Sequence, residues 1–254
     1  MNRIPHTIAA LALATGLASA QPSEAAAGRE LVKRYADAIV GVELVVTIKV
    51  KTGGQERPSQ EQRIEVNGTV ISPSGLTVTS LAQVDPQVAL SQPGSRVELL
   101  GADFKEVKLR LADGKEVPAR FVLKDADLDL AFMAPETAEP GREYPYVKLT
   151  EAAEGALLNR YFFVARAPKT LQRVPIVRAT DIIGIVEKPR RLFILAEQSL
   201  AIPIFDPAGR VLGITLQHFA NGRPSGIVVL PAADIAEMAK QAAAVQAAPP
   251  KTGG

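Results

Sequence analysis

"VKLRLADGKEVPARFVLKDADLDLAFM", residues 107–133, holds the pattern on which the reading of the chain depends. Two apolar, β-branched runs, 105–111 and 116–124, flank Asp113-Gly114, a dipeptide suited to a tight hairpin turn. A third run, 128–134, follows a short acidic turn that carries Asp125 and Asp127. Within it Leu128 and Leu130 read as core. Closely spaced strands joined by tight turns predict antiparallel sheet.

Working outward, the same texture continues on both sides. Upstream, "VGVELVVTIKV" from Val40 reads as a long buried strand, and 51–62 as a polar loop. Strands over 63–72 and 76–80 bracket Ser74-Gly75. Before them Leu31, Val32, Tyr35, Ala36 and Ile39 recur at helical spacing, which predicts a helix over 29–39. Downstream, "APETAEPGREYP" (134–145) reads as a linker. Strands are then expected at 146–149, 160–165, 174–187, 192–196, 201–206, 210–217 and 225–230. Tyr161, Phe162 and Phe163 would alternate across one of them, with core packing their default. Pro231 opens a last helix, 231–245, with proline well placed in its first turn. Many strands with helices at the ends predict an all-β barrel or sandwich.

Composition bounds the function. The chain has 254 residues, 47% of them hydrophobic, enough for one β-rich domain or two lobes. Its 29 basic and 27 acidic side chains leave a formal charge of +2, so neither nucleic acid nor an anionic membrane is an expected partner. There is no cysteine, which excludes disulfides and a thiol nucleophile. Arg3, the apolar run Thr7–Leu17 and Ala18-Ser19-Ala20 predict a signal peptide over 1–20 and an exported chain, periplasmic or secreted, with no membrane attachment after cleavage. Residues 21–28 read as a flexible mature N-terminus and 246–254 as a disordered tail. His6 leaves with the leader, so His218 alone remains and neither a metal nor another cofactor is expected.

Three stretches in order resemble the trypsin-like serine protease domain of the HtrA (Deg) branch. "GTVISPSGLTVTSLAQV" (68–84) is similar to that family's histidine-bearing segment, and 107–133 to the segment ending at its aspartate. "SLAIPIFDPAGRVLGIT" (199–215) is similar to its serine-bearing segment, and "GIVVLPAADIAEMAKQ" (226–241) to the final strand and helix. The resemblance covers residues 29–245. It implies two six-stranded barrels, about 40–134 and about 146–230, with a cleft between them.

It also implies where a catalytic triad would stand. The aspartate falls on Asp129. The histidine position holds Ala82, between Leu81 and Gln83, and the serine position holds Leu200, one residue after Ser199. The two following glycines become Ala201 and Ile202, and the oxyanion-equivalent positions are Gln198 and Leu200. A serine needs an adjacent base to attack a carbonyl; alanine accepts no proton and leucine offers no nucleophile. Leu200 to Ile204 reads as a packed strand edge instead. The expected function is that of a pseudoprotease binding peptide or protein, with an active protease among the candidate partners. Extended peptides add to sheet edges through main-chain hydrogen bonds, which need no triad, and Gln217 and His218 are the candidate groove residues. The alternative is a hydrolase with a non-standard site using Ser199 and His218. Asp129 reads as a structural acceptor of hydrogen bonds from backbone amides, Asp125 and Asp127 beside it as a solvated turn, not a Ca²⁺ loop, and "KPRR" (188–191) as a solvated basic turn.

Overall fold

A computed structural model describes residues 23–90, 95–139 and 141–247; the expected signal peptide and most of the expected tail lie outside the described residues. The all-β expectation holds. The chain forms two six-stranded antiparallel barrels with a helix at each end.

Helix α1 (Glu24–Tyr35) begins earlier than hydrophobic spacing predicts, within the stretch read as flexible. The reason is local: the Ser23 hydroxyl accepts the Ala26 amide, and Glu24 sits in the positively polarised first turn. A single 3-10 turn, Ala36–Ala38, leads into the first barrel. Its strands are β1 (Ile39–Thr52), β3 (Gln60–Val70), β4 (Thr77–Ser80), β5 (Val97–Arg110), β6 (Glu116–Asp125) and β7 (Leu130–Pro135), with a two-residue strand, β2 (Gln55–Glu56), folded back on β1. The order β1-β3-β4-β7-β6-β5 closes through pairing of β5 with β1. Two short helices, α2 (Leu81–Val84) and α3 (Pro86–Leu90), follow β4. Strand β5 starts well before the expected 105, because its first half pairs with the far end of β1 across what reads as a polar stretch.

The second barrel contains β8 (Arg160–Arg166), β9 (Pro175–Val186), β10 (Leu192–Leu195), β11 (Pro203–Phe205), β12 (Val211–Ala220) and β13 (Arg223–Pro231), closed in the order β10-β13-β12-β11-β8-β9. Helix α4 (Ala232–Ala247) follows. No described helix is long and apolar enough to cross a membrane.

Hydrophobic alternation explains how the barrels meet. In β7, Ala131 and Met133 point into the first barrel, while Leu130, Phe132 and Ala134 enter a core shared by both. In β8, Tyr161 and Phe163 fill the second barrel and Phe162 and Val164 face the shared core. Strands buried on both faces read as continuous apolar runs, as these two do. The terminal helices seal the same core through Ala27, Leu31 and Tyr35 of α1 and Ile235 and Ala242 of α4. Tyr35 stacks on Phe205 of the second barrel with centroids 4.2 Å apart, and its hydroxyl donates to the Gly209 carbonyl.

The expected linker is not a free tether. Tyr144 is buried in the first barrel's cluster, and the amides of Tyr144 and Val147 donate to the carbonyls of Pro73 and Val70. Residues 146–149 form no strand. Val147 and Leu149 enter the shared core, and hydrogen bonding to the second barrel begins at Glu151–Ala153, with Val211.

Candidate functional site

Asp129 lies at the head of β7 with no exposed surface. Its backbone is left-handed (φ 58°), a conformation uncommon outside glycine and best tolerated by Asp and Asn. The turn before it is stapled by the Asp125 carboxylate, which accepts the Leu128 amide. Asp125 is therefore a turn former, while Asp127 points to solvent.

Three donors converge on the Asp129 carboxylate. The Ser80 hydroxyl donates to Oδ2 at 2.6 Å, the Ala82 amide to Oδ1 at 2.7 Å, and the Gln217 amide to Oδ2 at 2.7 Å. The Leu81 amide donates to the Asp129 carbonyl at 2.9 Å. Burial pushes the carboxyl above its ordinary range, and the hydrogen bonds from Ser80, Ala82 and Gln217 oppose that shift. None of the three donors is a proton acceptor of useful basicity. The carboxylate thus ties the α2 turn of one barrel to β12 of the other, and among the described residues no imidazole contacts it.

The segment before β11 is a bend, not the strand edge expected from its apolar sequence. Ala201 is fully buried in a left-handed conformation (φ 59°). Its amide donates to the Thr215 carbonyl at 2.7 Å, and the Ile202 amide to the Thr215 hydroxyl at 3.0 Å. Ile202 belongs to the interior of the second barrel, whereas Leu200 is only half-buried. Thr215 and Gln217 share β12, so this one strand links the Leu200 bend to Asp129. Position 82 is thus bonded directly to Asp129, whereas position 200 is tied to it only indirectly, through its neighbours Ala201 and Ile202 on Thr215, two residues before Gln217.

Other expected residues divide. Gln198 is exposed, and Ser199 has no hydrogen-bond partner among the described residues. His218 instead meets Ser225 across the β12–β13 hairpin, Nδ1 to Oγ, at 2.6 Å; that hydroxyl also reaches the His218 carbonyl. The Gln217 side chain bonds the carbonyls of His218 and Gly226, which leaves its backbone amide aimed at Asp129. Ser80 and Thr215 were not singled out by sequence. The available signal was a hydroxyl two residues before Ala82 and another two before Gln217, each at a strand position.

Beside Gln217 a cleft of about 280 Å³ opens between the turn before Asp129 and the second barrel. Its floor is apolar and includes Leu128, Leu192 and Val228; Asp127, Lys188 and His218 stand at its mouth. A larger groove of about 650 Å³ runs along the outer wall between β5 and β6, lined by paired charges around Phe104 and Phe121 and remote from Asp129.

The backbone is similar to that of the MamO protease domain from Magnetospirillum magneticum in its apo form, with a TM-score of 0.50 over 81% of this chain and 97% of that one. The fold is that of a trypsin-like protease. Sequence identity with that structure is 16%, so the likeness carries the double barrel and nothing finer. No protein-family model matches the chain, and no curated protein matches it.

Proposed function

We propose that the chain is an exported, catalytically inactive trypsin-like domain of HtrA-like type that binds peptide or protein at the junction of its barrels. One observation carries the reading: the buried Asp129 carboxylate spends its acceptor positions on a serine hydroxyl and two backbone amides, with an alanine where a base would stand. General-base activation of a serine requires a group that accepts its proton and a carboxylate that orients that group. Only the carboxylate is present. Leu200 in place of a nucleophile supports the same conclusion.

Binding needs none of these groups. Strand β12 pairs with β13 along its length but with β11 only as far as Ile214, so beyond Asp129 one edge is open and an extended segment pairing there would gain main-chain hydrogen bonds. Hydrogen exchange measured with and without unfolded β-casein tests this: protection is expected at His218–Ala220, the Gln217 amide being already held by Asp129, and its absence there removes the binding reading. Export is checked by the mass of the chain recovered from expressing cells, expected to begin at Gln21.

A second reading, a serine-type hydrolase with a non-standard site, is favoured by the contact between His218 and Ser225. Here the pair replaces Ser199–His218 as the candidate dyad. A fluorophosphonate probe decides between the readings. No labelled serine is expected; stoichiometric labelling of Ser225 or Ser199 would establish the hydrolase instead.

A further inference from the structure

The cleft beside Gln217 has a chemistry of its own. Buried Leu192, Leu216 and Leu230 and half-buried Leu128, Val186 and Val228 together make its apolar floor. The volume, about 280 Å³, is at the low end for a ligand pocket, so it suits an end group and not a long segment.

Charge at the mouth is uneven. The turn between β9 and β10 contributes Lys188 and Arg190 to one lip. Arg190 shares its charge with Asp234 at 3.4 Å, but Lys188 has neither an ion pair nor a hydrogen bond among the described residues. Asp127 alone opposes them from the other lip, also without an ion pair among the described residues. His218 completes the rim and is held by Ser225.

We infer that this cleft receives the C-terminal residue of a polypeptide, its apolar side chain on the Leu128–Leu192–Val228 floor and its free carboxylate at Lys188. The inference rests on the peptide-binding reading above and narrows it to a chain end. The main chain of an internal segment brings no charge to Lys188, whereas a chain terminus brings one on the same residue as the apolar side chain. Asp127 repels that carboxylate, so the ligand's charge seats on the Lys188 lip. A terminal amine would be drawn to Asp127, but it would bring a second cation to a mouth already lined by Lys188 and by Arg190, which is only partly neutralised by Asp234.

Fluorescence anisotropy tests the idea with fluorescein-labelled Gly-Ser-Gly-Ser-Val-Leu, as the free acid and as the C-terminal amide. The label blocks the amino end. The free acid should bind about fivefold more tightly than the amide, as befits one solvent-accessible charge pair. Lys188→Met should abolish that difference without moving the amide. Asp127→Asn should tighten the free acid alone. Equal binding of acid and amide overturns the chain-end assignment and leaves the peptide-binding reading standing. If neither peptide binds while casein still protects His218–Ala220, the assignment fails in the same way. Loss of both peptide and casein binding takes the broader reading with it. Displacement of the free acid by equimolar decanoate would reassign the pocket to a lipid anion and overturn the proposal.

Discussion

The carboxylate of Asp129, on the first barrel, accepts the backbone amide of Gln217, on the second, at 2.7 Å. Through this bond Asp129 acts as a joint between the two barrels. Its other oxygen holds the Ala82 amide, so a single side chain ties three segments that are distant in sequence.

Removing the joint should be costly. Asp129→Ala leaves the Ser80 hydroxyl and the amides of Ala82 and Gln217 short of an acceptor in a buried site, and unsatisfied buried donors cost roughly 1–3 kcal/mol each. A loss of about 3 kcal/mol is expected in urea unfolding, with earlier exchange of the Gln217 amide. A stability change below about 1 kcal/mol would show that the barrels do not depend on it.

The same group sets one pH response. Because burial raises the folded pKa of Asp129 above its unfolded value of 3.8, its contribution is fully present below pH 3.8 and is lost as pH rises through the folded pKa. Measured against Asp129→Asn, which does not titrate there, wild type should be relatively most stable near pH 3 and lose ground at higher pH. The comparison needs only urea midpoints at several pH values.

Glu43 gives the opposite sign. It sits between Arg110 and Arg173, the latter reaching across from the second barrel at 2.7 Å. The hydrogen bond from Arg110 is the chief cause that holds its carboxyl below the ordinary value of 4.5. Its contribution is therefore present above pH 4.5 and lost as pH falls through the folded pKa. Glu43→Gln should flatten the acid limb of the stability curve, and Glu43→Ala should cost about 3 kcal/mol at pH 7 by leaving half-buried guanidinium groups underpaired.

Arg166 is a second joint. Its guanidinium donates to the carbonyls of Ile39 and Ala36 at 2.7 and 2.8 Å and to that of Arg173 at 3.1 Å. The three acceptors require a planar fork, which an ammonium does not supply. Arg166→Lys should therefore destabilise nearly as much as Arg166→Met, by about 2 kcal/mol in thermal or urea unfolding.

Gly213 tests the packing of the second barrel. A Cβ there would lie 2.0 Å from the Leu230 carbonyl oxygen, part of a neighbouring strand that cannot step aside. Gly213→Ala should cost about 3 kcal/mol or more, at the upper end of overpacking effects, and lower the unfolding midpoint accordingly.

Much of this was legible in the chain. The double-faced strands around Phe132 and Phe162 announce themselves as unbroken apolar runs, and the Asp113-Gly114 and Ser74-Gly75 turns lie where hairpins close. Local chemistry determines such features. The early start of α1 was missed because alanines in 24–29 carry little periodicity, while the decisive Ser23 cap is a single residue. The first half of β5 was missed because it pairs with β1 far upstream in the chain.

By itself, the sequence determined that strands dominate, that they fall into two sets, and that Ala82 and Leu200 supply neither base nor nucleophile, since side-chain chemistry does not depend on where the residue stands. What became of the remaining carboxylate was decided only by the tertiary structure. Ser80, Ala82 and Gln217 are up to 137 positions apart in the numbering, and nothing in their local sequence brings them together. Closure of two barrels around a shared apolar core does so. Once Asp129 is buried there, its carboxylate is met by three donors, because an unpaired polar group in a core is costly.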